Sequence, residues 1–187
     1  MRRFVVMLAA ITLFGEAYGA SYTIDPNHTY PSWEVSHLGV SVLRGKFTKT
    51  TGKLTWDRET KTGNVQIEVD SASVESGHAK FNDHLRSADF FNVEKFPKIT
   101  FQSTSFKFTQ DTLTTVDGNL TLLGITKPLT LTVNGMGCTI HPRLKIEVCG
   151  ADLVGSIRRS DFGMKYGTPR NGDVVTLRIQ VEAHKEQ

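Results

Sequence analysis

The chain has 187 residues, 39% of them hydrophobic and 22% charged, and a formal net charge of +3. That length suits a single domain with a sizeable core. Lys and Arg are dispersed, with no basic helix and no zinc-finger spacing, so the electrostatic footprint of a nucleic-acid-binding protein is missing.

At the N-terminus, Arg2 and Arg3 precede an apolar run from Phe4 to Phe14, and Ala17 and Gly19 put small residues where a signal peptidase inspects them. This is the pattern of a secretory signal peptide cleaved after Gly19. The run is too short to span a bilayer, and nothing later reaches the roughly 18–20 apolar residues that spanning needs. The expected organisation is a signal peptide over residues 1–19 and one exported domain over residues 20–187, without an integral membrane segment. Losing Arg2, Arg3 and Glu16 with the signal lowers the charge from +3 to +2.

Trp33, Val35 and His37 open an alternation of period two. It returns at Leu54 and Trp56, at Val65, Ile67 and Val69, at Ile99 and Phe101, and at Leu120 and Leu122. Leu129, Leu131 and Val133 continue it, as do Ala151, Leu153, Gly155 and Ile157, and finally Leu177, Ile179 and Val181. Such a period makes strands with one dry and one wet face. Turn signals at Thr62-Gly63-Asn64, Gly124, Gly135 and Asn171-Gly172-Asp173 leave no room for helical crossovers, so neighbours are antiparallel. About eight strands of this kind hide their dry faces by closing into a barrel or by pairing as a sandwich. Gly155 and Ala151 make half of one inward phase small, which leaves space inside.

Only Ser76 to Asn92 breaks the alternation. Phe81, Leu85 and Ala88 share a helical face, and Ser76 is the expected N-cap. The segment is therefore a lid or plug for one end. Phe90, Phe91 and Phe96 lie too close in sequence to share a strand face, so some anchor the lid and others reach the wall.

Cys138 and Cys149, the only cysteines, flank a loop and a returning strand. In an oxidising compartment they are expected to be bridged. A redox couple would prefer Cys-X-X-Cys at a helix start.

An enzyme would recruit His84 with Asp83 or Asp89, and Ser87 as nucleophile. Asp83 is adjacent to His84, no Gly-X-Ser-X-Gly elbow is present, and Arg86 has a structural use in pairing with Asp83 or Asp89. No catalysis is expected. The histidines, at 28, 37, 78, 84, 141 and 184, contain no His-X-His and no helical pair one turn apart, so no metal site is expected either. His37 shares the inward phase of Trp33 and Val35, either as a hydrogen-bonded core residue or as a polar contact to a ligand.

Four segments, EVSHLGVSVLRGKF (34–47), HLRSADFFNVEKFPKITFQS (84–103), GNLTLLGITKPLTL (118–131) and SIRRSDFGM (156–164), together resemble the YceI-like family over essentially all of residues 20–187. The resemblance implies an all-β, lipocalin-like, eight-stranded antiparallel barrel with one short helix and a hydrophobic central cavity. It further implies a periplasmic protein that needs no cofactor and holds a polyisoprenoid or other amphiphilic lipid. The cysteine pair is similar to that of exported proteobacterial members associated with ubiquinone. On this reading the ligand is lined by Trp33, Val35, His37 and Phe47 from the first strands and by Phe81, Leu85, Phe90 and Phe91 from the lid. Phe101, Leu122, Leu131, Leu153, Ile157 and Phe162 complete the wall. Inward polar candidates are His37, Ser103 and Arg159. Asp161-Phe162-Gly163 is read as a rim turn in which Asp161 binds backbone amides and Phe162 faces inward. The alternatives are a filled barrel that binds a protein partner through an exposed apolar patch, or a lipid-modifying enzyme. A monomer or homodimer is expected.

Overall fold

The computed structural model describes residues 19–187, so the expected signal peptide, Gly19 apart, lies outside the described residues. The strands are β1 (Ala20–Ile24), β2 (Tyr30–His37), β3 (Ser41–Phe47), β4 (Thr50–Asp57), β5 (Thr62–Asp70), β6 (Val74–Glu75), β7 (Lys98–Thr109), β8 (Thr112–Leu122), β9 (Ile125–Ile140), β10 (Glu147–Arg158) and β11 (Asn171–Lys185). One helix, α1 (Ala79–Arg86), stands between β6 and β7, and a 3-10 turn, Arg159–Phe162, follows β10. Among the described residues no helix is long and apolar enough to cross a membrane.

The hydrogen-bonded order β1-β4-β5-β7-β8-β9-β10-β11 closes through pairing of β11 with β1, giving an eight-stranded antiparallel barrel. The last strand is shared. Ala183 to Lys185 pair with β1, while Asn171 to Gln180 pair with β2, which carries β3 and then β6. The wall therefore rises on one side at the Asn171 end. There α1 packs its apolar face: Leu85 joins Trp33, Phe47, Val69 and Val74 in one buried cluster, with Phe81, Phe90 and Phe91 against it. At the other end Tyr22, Ile24, Trp56, Cys149 and Ala183 form a second cluster. We call these the helix end and the disulfide end.

Outside, polar side chains are paired along the wall. Asp117 accepts from Lys107 at 2.6 Å, Thr130 at 2.6 Å and Ser105 at 3.1 Å, and these bonds, the Lys107 one foremost, hold its carboxyl at about 2.

The seam between β1 and β11 has its own polar lock. Asp25, with only 5% of its side chain exposed, places Oδ2 at 2.6 Å from His28 Nδ1 and 3.4 Å from His184 Nε2, and accepts from the Asn27 amide at 2.9 Å. Burial, the largest single influence on Asp25, pushes its carboxyl up; the His28 and Asn27 bonds and the two imidazoles outweigh it and leave the group lowered. The hydrogen bond from His28 to Asp25, with the carboxylate charge, raises the imidazole.

The short elements depart from expectation in their details. The helix is capped not by Ser76 but by His78, whose Nδ1 accepts from the Phe81 amide at 3.2 Å. Gly77 takes φ 82° and turns the chain between the two, so Ser76 instead donates its amide and hydroxyl to Asn82 Oδ1, at 2.8 and 2.6 Å. The helix stops at Arg86, leaving Ala88 exposed beyond its apolar face. Gly155 opens no space, because a Leu131 methyl group occupies the place a Cβ would take, 2.8 Å from it.

Cys138 and Cys149 are direct partners across β9 and β10 and are bridged. Thiol titration of the oxidised protein should find no free thiol, and a finding of two would remove the bridge from this account. Changing both cysteines to Ser should lower unfolding free energy by about 2–4 kcal/mol in denaturant titrations, with strand content retained. The seam makes a second expectation. Asp25 contributes stability above its unfolded pKa of about 3.9, lost as pH falls through its lowered folded value. His28 contributes below about 6.5, lost as pH rises through its raised folded value. Stability from this lock should therefore peak between those limits, and His28→Ala should flatten the pH profile of thermal unfolding there.

Candidate ligand-binding cavity

The barrel encloses a cavity of about 470 Å³, within the roughly 300–1,000 Å³ of small-molecule sites. Along β11 it is bounded by Val175, Leu177, Ile179, Val181 and Ala183, which at about 3.4 Å per residue extends the lining by roughly 27 Å along the strand. The space is elongated, and most of the residues along its walls are Leu, Ile, Val and Phe.

Two irregularities shape the lining. Register shifts in β7 between Ser103 and Ser105, so Phe101 and Phe106, an odd and an even position, both face inward. A similar shift where β9 meets β10 at Asp152 and Leu153 lets Met136 join Leu129 and Leu131. A bulge inserts a residue and reverses the phase of the rest of the strand. Ser103 is consumed by its own bulge: its hydroxyl accepts from the Val65 amide at 2.8 Å, and it does not bound the cavity. Trp33 lies flat across Gly45, where an added Cβ would sit 2.3 Å from the indole.

Every residue expected to line the ligand bounds this cavity except Phe162: Trp33, Val35, His37, Phe47, Phe81, Leu85, Phe90, Phe91, Phe101, Leu122, Leu131, Leu153 and Ile157 all do so. Phe162 is 2% exposed but packs into the core behind the lining. It sits on the 3-10 turn after β10, where period two no longer applies, and its neighbours Arg159 and Met164 face the cavity instead. Asp161 is exposed; the carboxylate that holds this turn belongs to Asp173, which accepts from the Ser160 amide at 2.9 Å and hydroxyl at 2.8 Å. Met136, Met164, Tyr166 and Asn171 were not legible as lining residues, because each follows a bulge or lies in or beside a turn.

Polar groups gather at the helix end. His37 faces Asn171 across the β2–β11 pairing, and both bound the cavity together with His84, Arg159 and Tyr166. Arg159 is 4% exposed; Nε donates to the Gly172 carbonyl at 2.9 Å and Nη2 to the Asn171 carbonyl at 3.2 Å. Burial pulls its pKa down, against the charge of Asp173. Its Nη1, together with Asn171 Oδ1 and Trp33 Nε1, is buried without a hydrogen-bond partner. Each such atom costs about 1–3 kcal/mol, so the Arg159 and Asn171 atoms, on neighbouring residues at the helix end, mark a place where a polar group of a ligand would be satisfied.

The residues an enzyme would recruit are otherwise engaged. His84 Nε2 lies 2.7 Å from Asp89, and its ring packs edge-on between Phe90 and Tyr166, each 4.9 Å away. Ser87 donates its hydroxyl to the His84 carbonyl at 2.8 Å, not to the imidazole, and Arg86 pairs with Asp83 at 2.8 Å.

A closed antiparallel barrel around a long apolar cavity, capped by one helix with polar groups beneath it, is a lipocalin-like barrel with an interior site. The chain belongs to the YceI-like domain family, which matches residues 22–183. It is 37% identical over 176 residues to protein YceI of Salmonella arizonae, covering 92% of this chain and 91% of that one. Its fold is similar to the crystal structure of the Campylobacter jejuni YceI protein, at 26% identity and a TM-score of 0.70 over 81% of this chain and 90% of that one. It is also similar in fold to a polyisoprenoid-binding domain from Saccharophagus degradans, at 13% identity and a TM-score of 0.66 over 89% and 99% of the two chains.

Proposed function

We propose that the protein is exported to the periplasm and there holds a long isoprenoid or similar amphiphilic lipid, with ubiquinone one candidate, for transport or storage and without chemistry. The elongated apolar cavity carries this reading, since it offers a nonpolar solvent in the shape of a chain. The binding named for the Saccharophagus degradans domain agrees with it. A non-catalytic role is supported by Ser87 and His84, which hold each other's segment in place without forming a nucleophile and base.

Each buried CH₂ contributes about 0.8 kcal/mol, so a further isoprene unit strengthens binding until the cost of ordering the chain and the end of the cavity intervene. Trp33 bounds the cavity, whereas Trp56 stacks between Phe106 and Phe108 at 5.8 and 5.7 Å. In a Trp56→Phe background Trp33 is the sole tryptophan. Its quenching by quinones of one head and increasing prenyl number should report affinity that rises and then levels. Equal affinity for short and long tails would refute tail binding, and no binding by any would favour a filled barrel.

The orphaned atoms add a head-group term. A charge-assisted bond from Arg159 Nη1 to a ligand oxygen should make Arg159→Met weaken a prenylquinone by about tenfold or more while leaving a hydrocarbon of the same tail little changed. Equal losses for both would reduce Arg159 to a structural strut for Asn171 and Gly172.

A further inference from the structure

A group of ligand-bearing side chains lies away from the cavity, on the seam where β11 passes from β1 to β2. Asp25 Oδ2, His28 Nδ1 and a Glu182 carboxylate oxygen all lie within 4.8 Å of one another. Oδ2 stands 2.6 Å from His28 Nδ1 and 3.4 Å from His184 Nε2, and Glu182 Oε2 is 3.9 Å from His28 Nδ1. Ala183 bounds the cavity, so by strand alternation its neighbours Glu182 and His184 point away from it. Two imidazoles and two carboxylates thus meet outside the barrel wall. They come from opposite ends of the chain, which is why no His-X-His spacing signals them.

Their frame is built in advance. The Asp25 amide donates to the Glu182 carbonyl at 2.9 Å, the Glu182 amide to the Thr29 hydroxyl at 3.1 Å, and the Gln180 side chain to the His28 carbonyl at 3.2 Å. These bonds fasten the turn from Asp25 to Thr29 onto β11. The other Asp25 oxygen, Oδ1, accepts from the Asn27 amide at 2.9 Å, the kind of outer-shell bond that orients a ligating carboxylate. Asp25 is almost wholly buried, His28 is exposed and Glu182 half-exposed, so the group has a fixed floor and an open entrance. Metal–ligand distances of about 2.0–2.2 Å in a tetrahedral site place ligand atoms about 3.3–3.6 Å apart. The 3.4 and 3.9 Å separations stand near that spacing, and the hydrogen bond between His28 and Asp25 has only to widen by about 0.8 Å.

We infer that Asp25, His28, Glu182 and His184 form a binding site for a divalent transition cation of the zinc type, which clamps β1 to β11 from outside the barrel. The two imidazole nitrogens select for such an ion, since calcium and magnesium take oxygen ligands. The polar lock of the metal-free protein and the clamp of the metal-bound one are the same four residues. The site is separate from the cavity and does not rest on the lipid-binding reading. Two nearby groups are set apart from it by their own bonds. His141 lies with its ring 6.3 Å from that of His184, but its Nδ1 accepts from the Arg143 and Leu144 amides at 3.2 and 3.1 Å. Cys138, Glu147 and Cys149 also converge, but the two sulfurs are bonded to each other and Glu147 pairs with Arg58. Both serve as internal comparisons.

The test is calorimetric titration of zinc into the tag-free protein, stripped with a chelator and dialysed, with its disulfide intact. About one equivalent should bind, because the four residues make a single tetrahedral set, and calcium and magnesium should give no heat. His28→Ala and His184→Ala should each weaken zinc by about tenfold or more, since even an outer-shell partner is worth about 10–100-fold in metal affinity. Glu182→Gln, which keeps the shape of the side chain, should weaken it too, and His141→Ala should not. Zinc binds the folded chain, so it should raise the midpoint of thermal unfolding of the unaltered protein and leave that of the His28 variant where it is in chelator. Circular dichroism in chelator should show native strand content in every variant. Absence of zinc binding by the unaltered protein overturns the site, as does undiminished binding in either the His28 or the His184 variant. Loss on His141→Ala alone overturns the ligand set, and zinc that binds only after reduction belongs to Cys138 and Cys149 and overturns it as well.

Discussion

Closure of the sheet on β11 is the constraint from which the rest of the molecule follows. Eight strands that are dry on one face have no layer to pack against except one another, and the ring forms because β11 is long enough to pair with β1 at one end and β2 at the other. That sharing makes the two ends unlike. One end receives short strands, a disulfide and a stacked Trp56; the other rises into the β2–β3 hairpin and receives α1. The asymmetry gives the cavity a direction.

The interior shows how far an apolar wall departs from regular alternation. Bulges at Ser103 and opposite Asp152 bring Phe106 and Met136 inward, and each irregularity leaves backbone groups to be satisfied locally, as Ser103 satisfies the Val65 amide. The opposite solution appears at the helix end, where Arg159 braces two carbonyls and still leaves one amine without a partner. A buried guanidinium in an apolar barrel is costly unless something compensates it. The same end is therefore the polar pole of the cavity.

The stretch His84 to Pro97, which carries charges among phenylalanines, resolves into two jobs. Leu85, Phe90 and Phe91 cover the cavity, while His84, Arg86, Asp83 and Asp89 tie the turn beneath them. The charges are fasteners for the cap.

By itself, the alternation determined the all-β class, antiparallel pairing, the break between Ser76 and Asn92 and most of the inward residues, because period two is a local property of a chain whose turns are short; it left barrel and sandwich open, and the family resemblance alone pointed to the barrel. The sequence also placed Cys138 and Cys149 on either side of one hairpin. Only the tertiary structure decided where that period fails. The phase of Phe106 and Met136 depends on bulges, the turn at Phe162 exchanges its place with Arg159 and Met164, and His78 caps the helix because Gly77 turns the chain. Asp25, His28 and His184 meet only when the ring closes. Alternation is written between neighbours in sequence, whereas a cap or a lock across a seam exists only between residues that closure has made neighbours in space.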